Sequence, residues 1–178
     1  MKKFLFRIAR LKLMGTIVGF MFAHLPFMIP VKKIKKNNDA IAFFHPSPTY
    51  TDHILIIPRK ISRTIFDLSG ADFAAVIDMA VEIRQSRFHE STDFVLLING
   101  GARQDVMQAH FHLFSGNLVI KKSLSRDRAI KIDLPDKQFW TQFTSNLNAL
   151  LDEHSISPNA FSVFIQFENN SEPTLFLI

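Results

Sequence analysis

The chain has 178 residues, enough for one domain with its own core, and is 47% hydrophobic with 19 phenylalanines. It contains no cysteine, which excludes disulfides and thiolate zinc sites and fits a cytoplasmic setting. The net charge of +5 is lopsided: residues 1–36 hold nine Lys or Arg and no acid, whereas the rest of the chain carries more acidic than basic side chains.

That asymmetry points the leading segment at an anionic partner, either lipid headgroups or nucleic acid. In residues 1–15, Phe4, Ile8 and Leu11 share one helical face, with Lys3, Arg7 and Arg10 on another, as in an interfacial amphipathic helix. The uncharged run Leu13 to Val31 is just long enough to cross a bilayer, but His24, Pro26 and Pro30 argue against crossing. It reads first as a helix packed on the domain, next as an anchor at an anionic membrane surface, and last as a span. No small-x-small cleavage site follows it, which argues against a signal peptide. Lys32 to Lys36 reads as a solvated charge run, and nucleic acid is not the expected partner.

Ala40 to Phe44 predicts a strand, and the prolines of His45-Pro46-Ser47-Pro48 predict a loop. His53 to Ile57 is a β-branched run stopped by Pro58, a second strand in a hairpin with the first. Ser69 is a helix N-cap with Asp72 at the third helical position, leading into Phe73, Val76, Ile77, Ala80 and Val81 at helical spacing. Phe94 to Ile98 predicts a strand ending in the turn Asn99-Gly100-Gly101, and another strand is expected from about Met107 to Phe114. Beyond it, Pro135-Asp136 opens a second helix through about Glu153, and Ala160 to Phe167 with Thr174 to Ile178 predict two further strands. The pattern is α+β on an antiparallel sheet. Its parts are an N-terminal helix (1–15), a main domain (16–117) and an extension packed on it (118–178).

The stretch Gln108-Ala109-His110-Phe111-His112-Leu113-Phe114 is where chemistry is expected. Side chains of a strand alternate, so Gln108, His110 and His112 share one face. Such a row can serve a phosphate, with one imidazole as nucleophile and its neighbour stabilising charge. It can also serve a zinc site with His45 or His53 as third ligand, or be a plain strand face. The upstream turn from Asn99 to Asp105 can bring backbone N–H groups to the same anion.

Context narrows the choice. Ile29-Pro30-Val31-Lys32, Ile41-Ala42-Phe43, His53 through Arg59, Leu68-Ser69, Asn99-Gly100 and Gln104 through Gly116 run in order over roughly residues 16–117. This resembles the histidine triad (HIT) family of nucleotide hydrolases and transferases. The resemblance implies a HIT-like fold with a five-stranded sheet, a homodimer, and attack on a nucleotide α-phosphate through a nucleotidyl-histidine. It also implies His110 as nucleophile, His112 at the phosphate and leaving group, His53 as proton relay, and Asn99, Gln104 and Asp105 around the phosphate. Gln108 falls where the first triad histidine is expected, and glutamine hydrogen-bonds without titrating. His45 stands where an acidic residue often grips the ribose, Asp105 where small hydroxyl residues are common, and Phe43 is a core position able to floor a base pocket. No cofactor is built in, although Mg²⁺ can accompany the substrate. The second reading is a catalytically weakened nucleotide-binding or adaptor protein at the membrane surface.

Overall fold

The computed structural model describes residues 31–87, 93–116, 129–133, 138–167 and 173–178, together with Met21. The expected helix over 1–15 and nearly all of the apolar run to Val31 lie outside these residues. Among the described residues, no helix is long and apolar enough to cross a membrane.

In chain order the elements are β1 (Lys33–Lys36), β2 (Ala40–Phe44), β3 (Ile54–Pro58), α1 (Gly70–Arg87), β4 (Phe94–Gly101) and β5 (Phe111–Ser115). Then come β6 (Ile130–Asp133), α2 (Gln138–Glu153), β7 (Ala160–Phe167) and β8 (Thr174–Leu177). The strands form one sheet in the order β1-β2-β3-β5-β4-β7-β8-β6, antiparallel at every step. The α+β class stands. The sheet runs past the five strands that the resemblance implies, because β7 continues it along the edge of β4.

Alternation decides what each face buries. On one face Ile54, Ile56, Leu96, Ile98, Phe111, Leu113, Val163 and Ile165 pack against Phe73, Val76 and Ala80 of α1 and Trp140, Phe143 and Leu147 of α2. Phe73 lies with its ring 4.7 Å from that of Phe143 and stacks on Trp140 at 5.9 Å, joining the two helices. The start of α1 is fixed as the sequence predicts. The Ser69 hydroxyl accepts from the Asp72 N–H at 3.2 Å, and the Asp72 carboxylate accepts from the Ser69 N–H at 2.9 Å. Gly70 follows because any side chain there would collide with the Thr141 carbonyl of α2. The opposite face carries Ile41, Phe43, Leu55 and Ile57 at one end and Val95, Leu97, Phe114 and Phe164 towards the other. His112 sits between them, level with Leu55 and Leu97.

Two expectations need correction. The lysine run is not merely a solvated tract: Lys33–Lys36 is edge strand β1, paired with β2, and Ile34 packs on the core between its charged neighbours. The strand expected from about Met107 begins only at Phe111. The Gln108 N–H turns back to the Val106 carbonyl at 2.8 Å and the Ala109 N–H goes to Ser62 at 2.7 Å, so residues 106–109 pair outside the sheet ladder.

Candidate active site

The strands bring His53, at the entrance to β3, against His112 of β5, with His110 just before β5 and Asn99 near the end of β4. His53 is buried, and its Nε2 lies 2.9 Å from Nδ1 of His112. The backbone N–H of Thr49 donates to Nδ1 of His53 at 3.2 Å. An amide N–H can only donate, so Nδ1 of His53 carries no proton and its Nε2–H must be the donor to His112. His112 therefore accepts at Nδ1 and holds its own proton on Nε2.

His110 is set the opposite way. Its Nδ1 lies 2.8 Å from the Gln108 carbonyl, which can only accept. The proton is on Nδ1, and Nε2 is left with its lone pair. The His110 and His112 rings stand edge to face, centroids 5.0 Å apart. One histidine thus offers a nucleophilic nitrogen while its neighbour offers an N–H.

Burial keeps these rings neutral. Desolvation, then the neighbouring His45, lowers His53 to about 3. Desolvation, then His110, His53 and His45, lowers His112 to about 2. His110 is also lowered by desolvation, against the upward pull of its bond to Gln108 and of the Asp105 charge.

Asn99 is oriented through a second relay. The Arg103 guanidinium donates to the Ser162 hydroxyl at 3.2 Å, and Ser162 donates to Oδ1 of Asn99 at 2.8 Å. Arginine has no acceptor, so the serine proton is committed to the Asn99 oxygen, and the Asn99 NH₂ is the end left to donate to a ligand. Gly101 makes this arrangement reachable. It closes β4 at φ +60, and a side chain there would strike the Asn159 carbonyl, which accepts from the Ala102 N–H.

The glutamines serve the scaffold. Gln108 is buried, with its Nε2 donating to the Lys60 carbonyl at 3.2 Å and its Oε1 accepting from the Ser62 N–H at 3.4 Å. Gln104 donates through Nε2 to the carbonyls of Arg63 and Val106, both at 2.6 Å. Both side chains tie the loop before His110 to the segment after β3. Asp105 is exposed on that loop, and Phe43 is fully buried on the same sheet face as Leu55. His45 stacks flat on His53 at 4.1 Å, and its Nδ1 accepts from the Ser47 N–H at 3.1 Å.

His45, His53 and His112 place one nitrogen each within 4.8 Å of one another, the spacing of a three-histidine metal site. One feature competes with that use: the nitrogens of His53 and His112 already share a hydrogen bond at 2.9 Å.

Residues 27–118 match the HIT domain, just over half of the sequence. The chain belongs to the HIT family. An uncharacterized HIT-like protein of Helicobacter pylori is 29% identical over 91 residues, spanning 50% of this chain and 88% of its own length. Among solved structures, a hypothetical protein from Leishmania major superposes with a TM-score of 0.50 at 19% identity, over 78% of this chain and 97% of its own. Yeast Ap4A phosphorylase Apa2 in complex with Ap4A superposes with a TM-score of 0.53 at 7% identity, over 81% and 58%. Both share the fold.

In this HIT protein, His53, His110 and His112 come together as the sequence led one to expect, and His45 joins them as a stacking partner. Ser162 and Thr49 were missed. Ser162 left one faint trace, as a lone hydroxyl inside the apolar run Ala160 to Phe167, and Thr49 left none.

Proposed function

We propose that this HIT protein is a nucleotidyl hydrolase or transferase acting at a nucleotide α-phosphate, on a nucleoside phosphoramidate or a dinucleoside polyphosphate. The observation that carries the reading is the opposite tautomers of two adjacent imidazoles, fixed by the Gln108 carbonyl on His110 and by the His53 relay on His112.

Nε2 of His110 attacks phosphorus, forming an N–P bond as the bond to the leaving group breaks. The Nε2–H of His112 donates a hydrogen bond to the departing atom as charge develops on it, and the leaving group takes its proton from solvent water. The nucleotidyl-imidazolium keeps its Nδ1–H on the Gln108 carbonyl, which offsets its positive charge. Water then attacks phosphorus, losing a proton to solvent as the N–P bond breaks, which frees the nucleotide and returns His110 neutral with its proton on Nδ1. Asn99 donates its NH₂ to a non-bridging oxygen. Gln108 stands in place of the first triad histidine and acts on the site by holding the backbone carbonyl that orients His110.

A binding-only protein is the second reading, favoured by the engagement of the Gln108 amide with Lys60 and Ser62 rather than with the histidine row. Incubation with adenosine phosphoramidate and diadenosine tetraphosphate separates the two. Turnover lost in His110→Ala supports the enzyme, whereas tight binding without turnover supports the second reading.

A further inference from the structure

The path of the chain through β3-α1-β4-β5 is repeated by β6-α2-β7-β8. Within the sheet the first set lies in the order β3-β5-β4 and the second, in mirror sequence, as β7-β8-β6. The two sets meet along β4 and β7, which pair antiparallel over their full length from Phe94↔Phe167 to Gly101↔Ala160.

The match extends to single residues. Phe73, Val76 and Ala80 of α1 correspond to Trp140, Phe143 and Leu147 of α2, and Phe94, Leu96 and Ile98 of β4 to Phe161, Val163 and Ile165 of β7. Each counterpart stands 67 positions further along the chain, and all of them face the core between sheet and helices. The pairing registers carry the correspondence outward. Leu96 faces Leu113 as Val163 faces Leu177, and Ile54 faces Leu113 as Ile130 faces Leu177. His112, opposite Leu97, thus corresponds to Phe176, opposite Phe164, and His53, just before Ile54, corresponds to Ala129. The linked imidazoles of one half are a methyl and a phenyl ring in the other, where they pack on Val95, Leu97, Phe114 and Phe164.

We infer that the C-terminal unit is a built-in partner: a second copy without counterparts of His53 and His112 that occupies the edge of β4, so that the working protein is a single chain with a single site. Two like units joined by antiparallel strands across a local two-fold axis are how two identical subunits share a sheet. Here that joint is already filled from within. The outer edges are poor alternatives, because each is a four-residue strand carrying charge, KIKK in β1 and IKID in β6. The second unit also reaches the site, since Ser162 of β7 holds Asn99 of β4.

The test is assembly of the full chain. Light scattering behind size exclusion gives 20.4 kDa at low and high micromolar concentration. Twice that mass overturns the inference. Because the natural chain has no cysteine, Val95→Cys with Gln166→Cys reports directly on the β4–β7 joint. Oxidation forms a disulfide within one chain if the partner is built in, and a cross-linked pair of chains if β4 recruits a second copy. Neither readout depends on turnover, so failure of the proposed chemistry leaves both unaffected.

Discussion

His53 Nε2 and His112 Nδ1 lie 2.9 Å apart on a sheet face otherwise lined by Phe43, Leu55, Leu97 and Phe114. Two imidazoles in hydrocarbon cannot both be charged, and the Thr49 N–H decides which nitrogen of the pair holds the shared proton. The result is a neutral relay that hands His112 a proton on its far nitrogen without a carboxylate.

Stability follows from that neutrality. In the unfolded chain these histidines bind protons below about pH 6.5, whereas folded His53 and His112 resist protonation until about 3 and about 2. The unfolded state therefore binds more protons as pH falls from 6.5, and stability drops with it, by about 1.4 kcal/mol per pH unit for each ring held neutral. Urea midpoints at pH 7.5, 6 and 5 check this. The slope should flatten in His112→Phe, which installs the side chain already present at Phe176.

Activity should hold out further into acid than a free imidazole allows. His110 and His112 both have lowered affinity for protons, so the acid limb of kcat/KM lies well below pH 6.5. A half-maximum at or above 6.5 would mean that the rings titrate as if exposed.

Gln108→Ala removes the amide that satisfies the Lys60 carbonyl and the Ser62 N–H, leaving both in a buried setting. The expected cost is about 2 kcal/mol in unfolding free energy. Turnover should fall too, by about tenfold, because the Gln108 carbonyl that fixes His110 loses its anchor. Denaturant titration and initial rates of the same preparation separate the two effects.

Ser162→Ala breaks the line from Arg103 to Asn99 without touching a histidine. With the Asn99 amide free to flip, kcat falls by roughly tenfold, about the worth of one well-placed donor bond, while the fold is retained. Ser162→Thr keeps the hydroxyl and restores most of the rate. Equal losses in both variants would assign Ser162 to packing alone.

Local pattern made much of this legible. The hairpin β2–β3, the capped start of α1 at Ser69 and Asp72, and strands β7 and β8 follow from alternation, capping residues and Pro58 as a stop. Alternation misled at Gln108 to His110, where polar and apolar residues alternate as in a strand, yet the turn from Val106 to Gln108 carries the backbone out of the ladder. Lysines at Lys33, Lys35 and Lys36 hid a strand that stands at the outer edge of the sheet among the described residues. The β4–β7 joint was invisible, since it pairs residues some sixty or more positions apart and nothing near Asn99 announces Ser162. His53 and His112 were found as types in a pattern, but their tautomers needed the Thr49 and Gln108 backbone groups in place.

A second variant bounds the catalytic assignment. His110→Ala should lower kcat/KM by at least about a thousandfold, as loss of a covalent nucleophile does. The residue is half-buried and its Nδ1 bond goes to a carbonyl two positions away, so the melting curve should move little.

The nucleophile itself is tested by trapping it. The protein is mixed with adenosine phosphoramidate, quenched in alkali to spare the P–N bond, digested and read by mass spectrometry. An adenylyl group on the peptide bearing His110, absent in His110→Ala, is the predicted result. Turnover with no adduct on that peptide, or an adduct on His53 or His112 instead, contradicts the account.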